Sequence, residues 1–562
     1  MFDGFWLPRS LREQILEPGT GYASSTFARG RPAAAGQEGA VTVRWPLLRE
    51  EAWPQLLALL RANRERAPRG EEYWERLSAA MATMARRLAN PGDALHQAVL
   101  AALPGYTGYS QAMIAAALHG MDLWNLEQFP AALKVEPTWQ AARGWQTMGT
   151  LHGRLCFTPA RSGGLRARLP RRPEGPLFGP PDPPAVVLGY GAGNVPGTAL
   201  LIAFLALSTA LAGSAPPAVV VKNSRREPIF GPLVLSALEE ADEELVSTLA
   251  LLIWDYEDEA VQARLMGQAG LAIAAASDQT IGQIRGALER LAPRTARFHA
   301  HGHKVSFSAI GRDVLAHGLR AGDGTPLLQA VALLAALDSI YWDQQGCLSS
   351  RIHFVEAGGP GCHSSLDYAG QLAEQLGLLG ALLPRGAWPR QRLHDRFDRY
   401  KLLESTSRVR VLSAYDDEFV VVHDARPLDA YALHSTVNDC EGRVVVVRPV
   451  DDLLAVPEDH LRLLPAGNLQ SLSVAVGREG QGLTDDFLRF AAACAARGVT
   501  AIRSVGRGAF PQLAYSWDGL LPLDLLRRRR EGWFTTIEFE RPYDEMLATY
   551  RLATAFDKAA QV

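Results

Sequence analysis

Residues 186–201 read VVLGYGAGNVPGTALL: a β-branched apolar run, a passage through four glycines, and an apolar stretch of helical character that starts at a proline. A strand that turns tightly into a helix is where many α/β proteins hold a ligand, so the reading of this stretch decides the fold. The dinucleotide fingerprint needs Gly-x-Gly-x-x-Gly after the strand, because the glycines make the turn, admit the pyrophosphate and let helix and strand pack. Counted from Gly189 the sixth position is Asn194, and counted from Gly191 it is Pro196, so the fingerprint fails in both registers. What stands at the mouth instead is Asn194, with Pro196 near the first turn of the following helix. An asparagine there either caps the helix or directs its amide NH2 at a developing oxyanion, and both uses stay open on this stretch alone.

Outward from this turn the pattern repeats. Short apolar runs lie at 185–190 (AVVLGY), 218–222 (AVVVK), 249–254 (LALLIW) and 271–276 (LAIAAA), with helix-length segments at 197–213, 229–247, 257–268 and 279–291. Apolar strands joined by helical crossovers predict a doubly wound parallel sheet of nucleotide-binding type. A second α/β region follows, with a helix at 326–341 and strands at 351–356, 409–412, 418–422, 443–449, 471–476 and 499–503. Before the first sheet, 47–135 repeats apolar residues at helical spacing, and the Gly- and Pro-rich segments 31–39 and 162–184 read as linker or extended surface. The expected organisation is a mainly helical region at 1–150, a Rossmann-like domain at 151–310, a catalytic α/β domain at 311–525 and a C-terminal segment at 526–562.

Composition narrows the function classes. The chain has 562 residues, too many for one core, with 48% hydrophobic and 21% charged residues, as in soluble globular proteins. A net charge of −3 from 57 basic and 60 acidic residues favours neither nucleic acid nor an anionic membrane. The arginine clusters LRARLPRR at 165–172 and RRRR at 527–530 read as solvated faces or loops. Five cysteines without a CxxC pair or metal spacing argue against a disulfide framework and a zinc site, and point to a reducing compartment. No secretory leader and no run of 18 apolar residues occur, so a cytoplasmic location and no membrane span are expected.

The candidate nucleophile lies in DQQGCLSSRIHFVE, residues 343–356. Cys347 follows a glycine on a loop between a helix and a strand, where a thiol is expected to be exposed at an element end. A thiolate suits attack on an acyl or aldehyde carbonyl. Cys156, Cys362, Cys440 and Cys494 lack that setting, and Cys494, in FAAACAARG, reads as buried helix packing.

The order G-N-V-P, V-V-K-N-S-R and D-Q-Q-G-C-L-S-S-R-x-H-F-V-E resembles the aldehyde dehydrogenase superfamily, and more narrowly the LuxC-type acyl-CoA reductases. The resemblance runs from about residue 100, through Tyr109 and Ser110, to DGLLPL at 518–523. It implies that Cys347 carries the acyl group and that Asn194, with the backbone NH of Cys347, forms the oxyanion hole. It further implies that Lys222 holds the cofactor's adenosine ribose, that Ser277 lies near the cofactor phosphates at a helix start, and that the 191–197 turn faces the substrate and the nicotinamide. Such a protein reduces an acyl-CoA or acyl-protein thioester, of fatty acyl type, to the aldehyde; an acyl-protein synthetase is an implied partner, and a homo-oligomer is compatible with it.

Two departures qualify the resemblance. Where aldehyde-oxidising members carry E-L-G-G-K, whose Glu activates the hydrolytic water, this chain reads HAHGHKVSF at 299–307, which suits a thioester reductase. Where the reductases carry His-Asp-Gly, this chain has Trp517, Asp518 and Gly519. His299, His301 and His303 alternate and on a strand would share a face; packing is the plain reading, with a proton relay through His301 or His303 as the functional one and no metal site expected. Ser224, Arg225 and Arg226 follow Lys222 where an acidic residue would repel a 2′-phosphate, so NADPH is expected over NADH. Met81, Met84, Met113 and Met121 read as core packing, with an acyl-tunnel lining as the alternative. Two rival functions remain: an oxidative aldehyde dehydrogenase, and a non-catalytic acyl-binding or scaffold subunit.

Overall fold

The computed structural model describes residues 1–119, 128–160, 176–212, 214–510 and 512–560. They form two compact units, each assembled from segments far apart in the chain. The first comprises 1–122, 178–303 and 523–529; the second comprises 123–177, 304–522 and 530–562. The arginine cluster at 165–172, most of the 162–184 segment and Met121 lie outside the described residues.

In the first unit five parallel strands, β1 (Val186–Tyr190), β2 (Ala218–Lys222), β3 (Leu249–Leu252), β4 (Leu271–Ala275) and β5 (Arg297–His301), pair in the order β3-β2-β1-β4-β5. The crossovers carry helices α1 (Thr198–Leu207), α2 (Phe230–Ala241), α3 (Glu259–Met266) and α4 (Asp278–Leu291). Every residue of β1, β3 and β4 is buried, as unbroken apolar runs in a sheet covered on both faces must be. Strand order reverses at the β1/β4 boundary, which in open α/β sheets is where a ligand crevice opens beyond the strands' C-terminal ends. Phe5, Leu7, Trp45, Trp53, Leu56 and Leu60 pack into the same core as β1 and β2, so the N-terminal segment is part of this unit.

That segment holds the expected helices, at Ala52–Arg64, Gly70–Ala89, Ala94–Thr107, Gln111–His119 and Phe129–Leu133, the last in the second unit. It also holds a four-stranded sheet that includes Tyr22–Ala28 and Val41–Pro46. Met81, Met84 and Met113 are buried on the helices, in agreement with core packing. Of the arginine run at 527–530, Arg527–Arg529 form a strand that pairs with Phe178–Pro181 rather than a loop, with Arg528 and Arg530 exposed and Arg529 in an ion pair with Asp524 at 2.5 Å.

The second unit is built on a ten-stranded sheet. Its parallel part contains β6 (Val305–Ile310), β7 (Ser350–Glu356), β8 (Val420–Asp424), β9 (Val444–Val450), β10 (Leu469–Ala475), β11 (Ala501–Ser504) and β12 (Gly532–Ile537), in the order β8-β9-β7-β6-β10-β11-β12. Antiparallel strands flank it: Val409–Val411 on one side, Arg154–Pro159 and Gln146–Thr147 on the other. Helix α5 (Leu327–Ile340), the source of the loop that carries Cys347, is buried along most of its length. Phe307, Ile352, Phe354, Val446 and Leu472, from β6, β7, β9 and β10, belong to the core of this unit. Among the described residues no helix is long and apolar enough to cross a membrane.

Candidate functional site

In the first unit the turn after β1 is shaped by close packing. A Cβ on Gly191 would lie 2.7 Å from the Ala199 Cβ, and one on Gly193 would lie 2.2 Å from the Ser224 Oγ. These glycines therefore bring the turn down onto the start of α1 and onto the β2–α2 loop. The N-cap of α1 is Gly197, with φ of 89° and no side-chain cap bond, so Asn194 is not the cap. Asn194 is exposed, and its carbonyl accepts the Tyr109 hydroxyl at 2.5 Å. The buried Glu227 carboxylate accepts from the backbone N–H groups of Gly197 at 3.2 Å, Ile229 at 3.0 Å and Phe230 at 2.8 Å, tying the turn to the start of α2. Burial pushes this carboxyl up to about 7, against the lowering effect of the three donors.

Register places Lys222, the last residue of β2, beside Tyr190, the last of β1. The Lys222 ammonium sits 5.7 Å from the Trp254 ring centroid, and burial, followed by the neighbouring Arg225 charge, holds its pKa below the usual value. The Arg225 guanidinium is engaged by Asp255 at 2.6 Å and lies over the Trp45 ring; Arg226 is exposed, and its backbone N–H donates to the Ser224 Oγ. Ser277 caps the 14-residue helix α4, accepting from the Thr280 N–H. Lys222 at the end of β2, Ser224 and Arg226 in the loop after it, and Ser277 after β4 thus lie at the C-terminal edge of one parallel sheet. A helix N-terminus, a cation and a strand-order reversal on that edge fit a dinucleotide.

The histidine triplet divides. His299 and His301 are buried on one face of β5, whereas His303 lies past the strand's end, exposed, with its backbone N–H donating to the Asp278 carboxylate at 2.7 Å. Burial pushes the His299 imidazole down to about 3, so it is neutral. No group of three or more His, Cys, Asp or Glu side chains among the described residues is placed to hold a metal.

In the second unit Cys347 stands between α5 and β7, on a loop entered through three consecutive non-glycine residues in the left-handed region: Trp342 (φ 54°), Asp343 (49°) and Gln344 (58°). Such residues cost about 1–2 kcal/mol each, so the surroundings must hold them. The Asp343 carboxylate does so, accepting from Arg443 Nε at 2.6 Å, Trp388 Nε1 at 2.9 Å and the Gly386 N–H at 3.0 Å. Gln344 bridges two strands: its amide NH2 donates to the carbonyls of Ser350 and Val444, and its oxygen accepts the Val444 N–H. Asp343, Gln344 and Arg443 are almost fully buried. Beyond the turn, the Cys347 carbonyl accepts the Ser306 hydroxyl at 2.8 Å, and Ser306 in turn accepts from Ser471 at 2.8 Å.

The thiol is half-buried rather than exposed. Desolvation, followed by the nearby Asp518 carboxylate, pushes it up to about 11, against the opposing influence of the Gln470 amide, the Cys347 backbone and the Arg351 charge. The neutral thiol therefore predominates at neutral pH in the free protein. Cys156, Cys440 and Cys494 are buried with raised thiol pKa values, the last inside the helix Asp485–Arg497. Sequence reasoning did not select Gln470, Glu227 or the Asp343–Arg443 pair. The available signals were a Gln-Ser pair inside the apolar strand LQSLSVA and two polar residues immediately before Gln345-Gly346-Cys347.

The fold recurs in solved aldehyde dehydrogenases. Salicylaldehyde dehydrogenase from Pseudomonas putida G7 is 13% identical, with 91% of this chain and 94% of that one covered at a TM-score of 0.55. An indole-3-acetaldehyde dehydrogenase complexed with NAD+ is 14% identical, with 94% and 99% covered and a TM-score of 0.52. NADP-dependent glyceraldehyde-3-phosphate dehydrogenase from Bacillus halodurans C-125, complexed with NADP, is 13% identical, with 94% of each chain covered and a TM-score of 0.50. No curated protein sequence matches the chain. The family model described as Acyl-CoA reductase (LuxC) matches residues 170–529, well over half of the sequence and including the Asn194, Lys222 and Cys347 motifs. The chain belongs to the acyl-CoA reductase (LuxC) family, with an aldehyde-dehydrogenase-like fold.

Proposed function

We propose that the protein reduces an acyl thioester, either an acyl-CoA or an acyl-protein of fatty acyl type, to the aldehyde, using NADPH and a thioester formed on Cys347. The Cys347 sulfur attacks the acyl carbonyl, the bond to the leaving thiol breaks, and the thiol proton ends on that leaving group. Asn194 is assigned the oxyanion donor role by its place in the G-N-V-P motif, together with the Cys347 N–H. Lys222, Ser224, Arg225, Arg226 and Ser277 are the residues assigned to the cofactor, which supplies the hydride when bound. Aldehyde leaves when the carbon–sulfur bond to Cys347 breaks, and the sulfur takes up one proton from solvent to return the free thiol. The missing Glu in HAHGHKVSF leaves no base at that point to activate water against the acyl-enzyme. His301 and His303 remain the proposed proton relay, an acyl-protein synthetase the proposed donor partner, and the cytoplasm the proposed location.

The observation that carries this reading is the loop before Cys347: three left-handed residues held by a buried carboxylate and a buried amide are an expensive way to position a cysteine that only packs. The test is intact-mass analysis after incubation with a panel of acyl-CoAs, with absorbance loss of NADPH and aldehyde trapping in parallel. An acyl adduct on the wild type, absent from Cys347→Ala, with aldehyde formed only by the wild type, is expected. Steady acid production from aldehyde and NADP+ without acyl-CoA reduction would replace the proposal by the oxidative reading. Absence of any adduct across the panel would leave an acyl-binding or scaffold role.

A further inference from the structure

Gln470, on β10, is 2% exposed, and neither its buried amide nitrogen nor its buried amide oxygen has a hydrogen-bond partner. Buried amides are nearly always satisfied, so an orphaned one requires a reason. Its backbone is fixed: the Gln470 carbonyl accepts both the N–H and the hydroxyl of Thr500, at 2.8 and 2.9 Å. The strand is irregular at this point. Val305 of β6 pairs with Leu469 and Phe307 with Leu472, so Gln470 and Ser471 together oppose the single residue Ser306. A bulge of this kind re-aims side chains that regular alternation would send to opposite faces.

Ser471 reaches Ser306, and Ser306 holds the Cys347 carbonyl. The same bulge brings the Gln470 amide within reach of the Cys347 sulfur, where it favours the ionised form. With the sulfur protonated there is no strong acceptor for the amide NH2; with a thiolate there is one. The opposite pairing of β6, with β7, is also irregular, between Ser306 and Phe307, so both neighbours of β6 are distorted next to the Cys347 loop.

We propose that Gln470 is a catalytic residue whose amide NH2 donates a hydrogen bond to the reacting sulfur of Cys347, stabilising the thiolate during acyl transfer. The proposal rests on Cys347 being the acylated nucleophile. In the step it assists, the sulfur–carbonyl bond forms, the donor's carbon–sulfur bond breaks and the proton passes to the leaving thiol, with no change of oxidation state. Desolvation disfavours the thiolate most, and Asp518 adds to it, since its negative charge disfavours a second one nearby; the amide works against both.

The test uses the full chain and the variants Gln470→Met, which keeps the volume without the amide, and Gln470→Ala, so that a folding failure of one leaves the other. Iodoacetamide alkylation at Cys347, followed by mass spectrometry as a function of pH, reads thiolate formation directly. Single-turnover acylation by an acyl-CoA reads the catalytic step. A hydrogen bond to a charged sulfur predicts an alkylation profile moved to higher pH by about 1–2 units and acylation slowed roughly 10- to 100-fold in both variants. Profiles that superimpose on the wild type would overturn the inference. If instead the wild type is alkylated at Cys347 but never acylated, the reductase proposal fails, while the alkylation profiles still decide the role of Gln470.

Discussion

Replacing Asp343 by alanine should disable the protein without touching any residue assigned to substrate or cofactor. The carboxylate is 1% exposed and forms an ion pair with Arg443, itself 1% exposed, while also satisfying Trp388 Nε1 and the Gly386 N–H. Breaking one partner of such a buried pair costs about 3–5 kcal/mol, because the remaining guanidinium is left uncompensated. Relief of the left-handed backbone at 342–344 offsets only part of this, and it does so by moving the loop. A displacement of about 1 Å at a nucleophile is enough to slow reaction roughly 100-fold. Cys440 and Cys494 are both 0% exposed in the same unit, so their labelling by a thiol reagent under native conditions measures how often that unit opens. Asp343→Ala should raise this labelling rate by about two to three powers of ten, and Asp343→Asn by less, since it keeps an acceptor oxygen. Cys347 acylation should fall in parallel. Labelling of Cys494 within a few-fold of the wild type, with unchanged acylation, would refute the view that this pair holds the loop.

Further expectations follow from the same geometry. Alkylation of wild-type Cys347 should rise about tenfold per pH unit from 7 towards 10, since the thiol titrates near 11; a plateau below pH 8 would contradict the desolvated environment. The Glu227 carboxyl, about 7 folded against an ordinary 4.5, binds its proton more tightly in the folded state, so its contribution of about 3 kcal/mol is full below pH 4.5 and is lost as pH rises through 7. Glu227→Gln should therefore remove a decline in thermal stability between pH 4.5 and 7, and should raise KM for the cofactor by disturbing the Gly197 turn. Arg226→Ala should lower the ratio of kcat/KM for NADPH over NADH by about tenfold or more, and Arg225→Ala by less, because Asp255 already neutralises Arg225. Equal effects of the two variants on that ratio would show that the ion pair does not matter.

The strands best read from sequence are those buried on both faces. AVVVK is β2 to the residue, and AVVLGY and LAIAAA each overrun β1 and β4 by one. Continuous β-branched runs leave no alternative to a covered parallel strand. Strand β6 escaped because VSFSAI alternates serine with apolar residues, a half-exposed pattern, whereas both serines are buried and hydrogen-bonded to other serines. The sheet at 22–46 escaped because its strands lie next to Gly- and Pro-rich segments and belong to a core supplied largely by residues far downstream. The Cys347 loop was legible as a motif. Its left-handed turn was not, because its anchors come from Gly386, Trp388 and Arg443, between 43 and 100 positions away.

The way the two units are threaded has a consequence for biosynthesis. The first unit begins at residue 1 yet includes Leu523–Arg529, whose strand pairs with Phe178–Pro181. As the chain emerges from the ribosome, that ribbon must wait for more than three hundred further residues before its second half exists. Neither unit can close before the residues from 523 onward have been made, so nascent chains expose unpaired edges until then, and their yield in a cell depends on what shields those edges meanwhile.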